Sequence, residues 1–133
     1  MIGVDTNVLV RYLTQDEPRQ AAAATRLIEQ RLRADEPGFL SCVVLAEVCW
    51  VLRSLYKAEP DEVAAMLSDL MNVPSFQVES RDAVLRAIAR IGSHRAECAD
   101  ALIHELAAAA GCKCTYTFDR AAARSSGMTL LAS

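Results

Sequence analysis

Short apolar runs alternate with longer amphipathic stretches along the whole chain. Met1 to Val4 is apolar and stops at Asp5, the pattern of a buried strand with an acid at its carboxyl end. Helix-forming residues resume at Val8 and predict a short helix to about Leu13. Asp16-Glu17-Pro18 opens a second helix, acidic and with proline in its first turn, that runs through the alanines to about Arg33. Asp35-Glu36-Pro37-Gly38 breaks it. Phe39-Leu40 then reads as a very short strand, and Ser41 caps a long apolar helix from Cys42 to about Tyr56. Glu59-Pro60-Asp61 starts a helix ending near Asn72-Val73-Pro74. Phe76 to Val78 is a strand, Ser80 caps a helix to Ile91, and Gly92 to Arg95 reads as a loop. Glu97 to Ala110 is helical and ends at Gly111. Lys113 to Phe118 is a strand, Asp119 to Ser126 a short helix, and Met128 to Leu131 a last strand.

Strands and helices alternate with no hairpin dipeptide between strands. That order predicts an α/β fold, a three-layer α/β/α arrangement with a mostly parallel central sheet. At 133 residues the chain fits one domain, 1–133, and it contains no internal repeat or linker.

Composition narrows the picture. Hydrophobic residues make up 53% and charged residues 23%, which excludes a disordered chain. A formal net charge of −3 argues against a protein that grips nucleic acid by bulk electrostatics. It does not exclude an enzyme that meets phosphates through bound cations, since these reverse the local field of an acidic site. The most apolar stretch, Cys42 to Leu52, is short and interrupted by Glu47, so no membrane span is expected. No signal-peptide pattern precedes Asp5, and a cytoplasmic location is expected. Five cysteines is an odd count, and reduced thiols are the default. Cys42 and Cys49 are expected on the buried face of one helix. Cys112 and Cys114 lack further ligands at zinc-finger spacing and read as small core residues.

The candidate chemistry lies in four acids. Asp5 and Asp119 each follow a strand, and ligands of doubly wound sheets bind beyond the carboxyl ends of strands. Asp100 falls in the first turn of a helix. Glu47 lies one and a half turns into the apolar helix, with no Lys or Arg within one helical turn, so pairing or metal binding is expected of it. Taken singly, each acid has a plainer reading. Asp5 and Asp119 suit helix caps, Asp100 suits the helix dipole, and Glu47 suits an exposed stripe or a distant arginine. Acids at several strand ends, together with one in an apolar helix, are harder to explain that way. Oxygen-only clusters suit hard cations, Mg²⁺ or Mn²⁺, and the chemistry such ions support is phosphoryl transfer to water.

These residues resemble a known family. Val4 to Leu13 around Asp5, Ser41 to Leu52 around Glu47, Ala99 to Ile103 around Asp100, and Thr117 to Arg120 around Asp119 stand in the order of PIN-domain proteins. Within that group they are similar to VapC-type toxin ribonucleases of toxin–antitoxin pairs. The resemblance covers essentially the whole chain. It implies that Asp5, Glu47 and Asp100 are metal ligands or their immediate partners, with Asp119 the fourth acid. Thr6 and Asn7 would shape the first strand end, and Thr117 would steady the site through its hydroxyl. It further implies an Mg²⁺- or Mn²⁺-dependent endoribonuclease acting on tRNA or ribosomal RNA, a cognate antitoxin protein and a homodimer.

Other residues could contribute. His104 follows Asp100 by four residues on one helix face and is either a phosphate or water contact or a hydrogen-bonded, partly buried histidine. Arg11, Arg86, Arg90 and Arg95, with His94, are candidates for a basic rim against RNA, or a solvated surface. An aspartyl phosphatase would need an acid where Asn7 stands. A phospho-accepting receiver would need an aspartate after the middle strand, where Glu79-Ser80 stands. Two alternatives remain within the family, an RNA-binding protein that does not cut and a housekeeping RNA-processing nuclease.

Overall fold

The computed structural model describes residues 1–133. Its strands are only two or three residues long, and the helices supply most of the core. β1 (Ile2–Gly3), β2 (Gly38–Leu40) and β3 (Phe76–Val78) form a parallel sheet with β2 in the middle. Ile2 stands opposite Gly38, and Leu40 opposite Val78. A Cβ at Gly38 would lie 2.6 Å from Leu32 Cδ1 and 3.1 Å from Val4 Cγ2, so those side chains would have to shift to admit one. β4 (Tyr116–Thr117) and β5 (Thr129–Leu130) form a second, separate parallel pair. The strands expected over Lys113–Phe118 and Met128–Leu131 are therefore shorter, because each has only the other to bond with.

Seven helices cover these strands: α1 (Thr6–Thr14), α2 (Pro18–Arg26), α3 (Cys42–Ser54), α4 (Pro60–Met71), α5 (Arg81–His94), α6 (Cys98–Ala109) and α7 (Arg120–Ser125). The three-layer α/β/α arrangement expected from the alternation is the observed one, with every strand pair parallel. α1 starts at Thr6, earlier than the apolar pattern suggests, because Asp5 caps it. α2 stops at Arg26 and continues as one wide π-helical turn, Leu27–Arg31, closed by Leu32 N–H donating to the Leu27 carbonyl at 2.9 Å. Ser80 adopts a left-handed backbone with φ +50° and makes no side-chain cap, unlike Ser41, whose Oγ accepts the Val44 N–H at 3.1 Å. α5 runs through the expected loop at Gly92 and ends when Arg95 turns left-handed at φ +53°.

α3 is the central helix. Leu45, Val48, Cys49 and Leu52 fall on one face at spacings of three and four and are fully or almost fully buried. α1, α4 and α6 pack against it, and α5 packs on both α4 and α6. A disulfide joins Cys49 of α3 to Cys98 of α6, with Cα atoms 5.9 Å apart. The expectation of five free thiols gives way here, because two helices that each bury a cysteine bring them within bridging distance. Cys42, Cys112 and Cys114 remain free. Burial and the neighbouring Glu79 push the Cys42 thiol up to about 11, so it is unreactive near neutral pH. No helix is long and apolar enough to cross a membrane.

Candidate active site

Asp5 ends the β1 segment and caps α1, its Oδ1 accepting the Thr6 N–H at 2.7 Å. The next side chain reaches across to α3, where Thr6 Oγ1 donates to Glu47 Oε1 at 2.8 Å. Asp5 and Glu47 are thus tied through one threonine. Both are exposed. The expectation that apolar neighbours enclose Glu47 fails for a geometric reason. At about 100° of rotation per residue, Glu47 faces away from the Leu45–Val48–Leu52 stripe. Its companions Val43 and Trp50, 71% and 63% exposed, share that outer face. Nor does Glu47 pair with a distant arginine, since its partner is Thr6.

Asp119 occupies the same kind of position at the end of β4. Its Oδ1 caps α7, accepting the Ala121 and Ala122 N–H groups at 2.8 and 3.2 Å. Its own N–H donates to Thr117 Oγ1 at 3.0 Å, which fixes the turn between strand and helix. In both strand-end aspartates capping engages one oxygen, and Oδ2 has no partner in the chain.

Asp100, in the first turn of α6, is half-buried and its carboxyl makes no hydrogen bond or ion pair. Burial raises its pKa above the usual carboxylate range, and the charges of Asp119 and Glu97 raise it further. Asp100 and Asp119 therefore lie within electrostatic reach of each other. Glu97 is already held by Arg53, with Nη2–Oε1 at 2.6 Å and Nε–Oε2 at 2.9 Å, which lowers its pKa and raises that of the arginine. Nothing in the sequence pointed to this pair, whose members are 44 residues apart.

Two halves emerge, Asp5–Thr6–Glu47 and Asp100–Asp119, linked by the packing of α3 on α6 and by the Cys49–Cys98 bridge. None of the four acids is in an ion pair. No three acid, histidine or cysteine side chains converge tightly enough to form a cage for an ion as they stand. The donor chemistry nevertheless fits a hard divalent cation. All donors are carboxylate oxygens, several lack partners, and Asp100 has no ion-pair partner of its own.

The remaining candidates lie apart or are already engaged. Asn7 is exposed along the groove between α1 and α2. His104 sits 3.7 Å from Glu105 Oε2 and against Gly127, with a buried Nδ1 that has no partner. Arg11 bonds Gln20, Asp16 and Tyr56. Arg86 and Arg90 both face Glu105, at 3.1 and 4.0 Å. Arg95 pairs with Glu59 and Asp61.

β1 and β4 each lead into an aspartate that caps the next helix and stands outside any ion pair. The PIN domain family model matches residues 2–127, and the chain belongs to that family. PIN domains are generally metal-dependent nucleases that usually bind a divalent ion, and such a nuclease implies an RNA substrate. A comparison with curated proteins finds no match.

Proposed function

We propose that this PIN domain is an Mg²⁺- or Mn²⁺-dependent endoribonuclease, the toxin of a toxin–antitoxin pair, that hydrolyses RNA phosphodiester bonds in the cytoplasm. The observation that carries the reading is Asp100, a half-buried carboxylate near Asp119 that has no hydrogen-bond or ion-pair partner of its own, while its other acidic neighbour, Glu97, is taken by Arg53. Such a group gains more from a bound cation than an exposed acid does. Asp5, Glu47, Asp100 and Asp119 are the residues that would hold the ion. When bound, it would lower the pKa of a water and offset charge on the phosphate oxygens.

The chain's own contribution is orientation. Thr6 holds one oxygen of Glu47, and the caps of α1 and α7 hold one oxygen each of Asp5 and Asp119. In each case the second oxygen is left to a ligand. The toxin assignment rests on the ordered motifs around the four acids. The exposed apolar side chains Val43, Trp50, Leu55 and Ile103 on or just after α3 and α6 favour protein partners, an antitoxin or a second copy.

The test is cleavage of tRNA and ribosomal RNA by purified protein with Mg²⁺, with Mn²⁺ and with a chelator, beside Asp5→Asn. Metal-dependent cuts leaving 5′-phosphates, lost in Asp5→Asn, are expected. Binding without cutting in every metal condition would favour the RNA-binding alternative. Cutting without growth arrest on expression would favour a processing nuclease.

A further inference from the structure

The segment that carries Asp119 is a nearly separate unit. β4 and β5 bond only each other, and beyond the end of α6 no backbone hydrogen bond ties residues 113–133 to the rest of the chain. Ala122, Ser126 and Met128 of this unit are nonetheless buried, so it is docked through side chains.

The polar part of that docking centres on Arg90. Its Nη1 donates to the Ser125 carbonyl, the last residue of α7, at 3.4 Å. Its Nε lies 4.0 Å from Oε2 of Glu105. Glu105 takes the core-facing position of α6 after Cys98, Ala101 and Leu102 and is only 8% exposed. Gly127, at φ +84°, lies so close that a Cβ would meet His104 Nε2 at 3.1 Å and Arg90 Cζ at 3.2 Å. Neutralising Glu105 does not by itself explain Arg90, because Arg86 already approaches that carboxylate at 3.1 Å. What Arg90 adds is a hydrogen bond to the segment bearing Asp119.

On this basis we infer that Arg90 is a positioning residue for Asp119, locking α7 onto the Glu105 site of α6 and so setting Asp119 against Asp100. The lever is short. α7 has six residues and spans about 9 Å at 1.5 Å per residue, with Arg90 gripping one end and Asp119 capping the other. The inference rests on the metal-site reading proposed above.

A Mn²⁺ titration by calorimetry tests it, with hydrogen exchange on the same samples. Arg90→Ala is expected to weaken Mn²⁺ about tenfold, the low end for residues that orient ligands. It should cause no further loss in the Asp119→Asn background. Arg90→Lys, which keeps a charged donor, should recover most of the affinity. Amides of residues 116–131 should exchange faster in Arg90→Ala while those of α3 keep their protection, which separates loosened docking from general destabilisation. Wild-type affinity in Arg90→Ala, or an equal loss on the Asp119→Asn background, would overturn the positioning role. If Asp5→Asn also binds Mn²⁺ like the wild type, the metal-site reading fails, and this inference with it.

Discussion

Asp100 and Glu47 show how one kind of group, a carboxylate, takes opposite environments within one fold. Asp100 is half-buried among negative charges, whereas Glu47 is exposed and held by one threonine hydroxyl. The folded protein binds a proton at Asp100 more tightly than the unfolded chain does. Stability from this group is present below the unfolded pKa of about 3.9 and is lost as pH rises through the raised folded value. Asp100→Asn removes that loss, so metal-free Asp100→Asn is expected to melt at or above the wild-type temperature at pH 7. Its advantage should shrink towards pH 4, as read by thermal melts across pH in chelator. The sequence marks Asp100 and Asp119 by position alone, and it misleads about the surroundings of Glu47. Its apolar neighbours are read as a buried wall, but helical rotation puts Val43 and Trp50 on the solvent side.

Elements are held in place by a few polar ties that spacing does not reveal. Asp16, just after α1, accepts hydrogen bonds from the Tyr56 hydroxyl at 2.6 Å and the Thr14 hydroxyl at 2.8 Å, beside Arg11. Those bonds, Tyr56 first, lower its pKa to about 2. The depressed value makes this tie between α1 and the end of α3 fully present above about pH 4 and lost as pH falls through about 2. Asp16→Asn should therefore flatten the fall in stability between pH 4 and pH 2, measured by urea unfolding at each pH. The Cys49–Cys98 bridge is the second tie. Closing a loop between residues 49 apart restricts the unfolded chain by about 4 kcal/mol in the loop-entropy treatment. Reduction is expected to cost about 2–4 kcal/mol, read as a lower urea midpoint in dithiothreitol than without it. Helix existence was legible throughout, because apolar periodicity and caps such as Ser41 and Asp119 are local signals. The ends of α2 and α5 and the bridge were not, since tertiary packing decides them.

At the scale of the molecule, the alternation of strands and helices carried the fold class, and the observed sheets are parallel as that alternation requires. The division into a three-stranded and a two-stranded sheet was not legible, because nothing in Tyr116–Thr117 says which edge it joins. That division shapes the site proposed above. Asp5 and Glu47 belong to the main body, Asp119 to the small C-terminal unit, and Asp100 to the helix on which that unit docks. A cation bound among them would bridge body and unit, and the acids would act together rather than singly. The most direct measurement is the Mn²⁺ dependence of RNA cleavage by the wild type and by Asp100→Asn at pH 7. Cleavage that rises with Mn²⁺ in the wild type, and falls at least a hundredfold in Asp100→Asn while the variant stays folded, is the expected result. Equal cleavage by the two proteins, or cleavage indifferent to Mn²⁺, would contradict it.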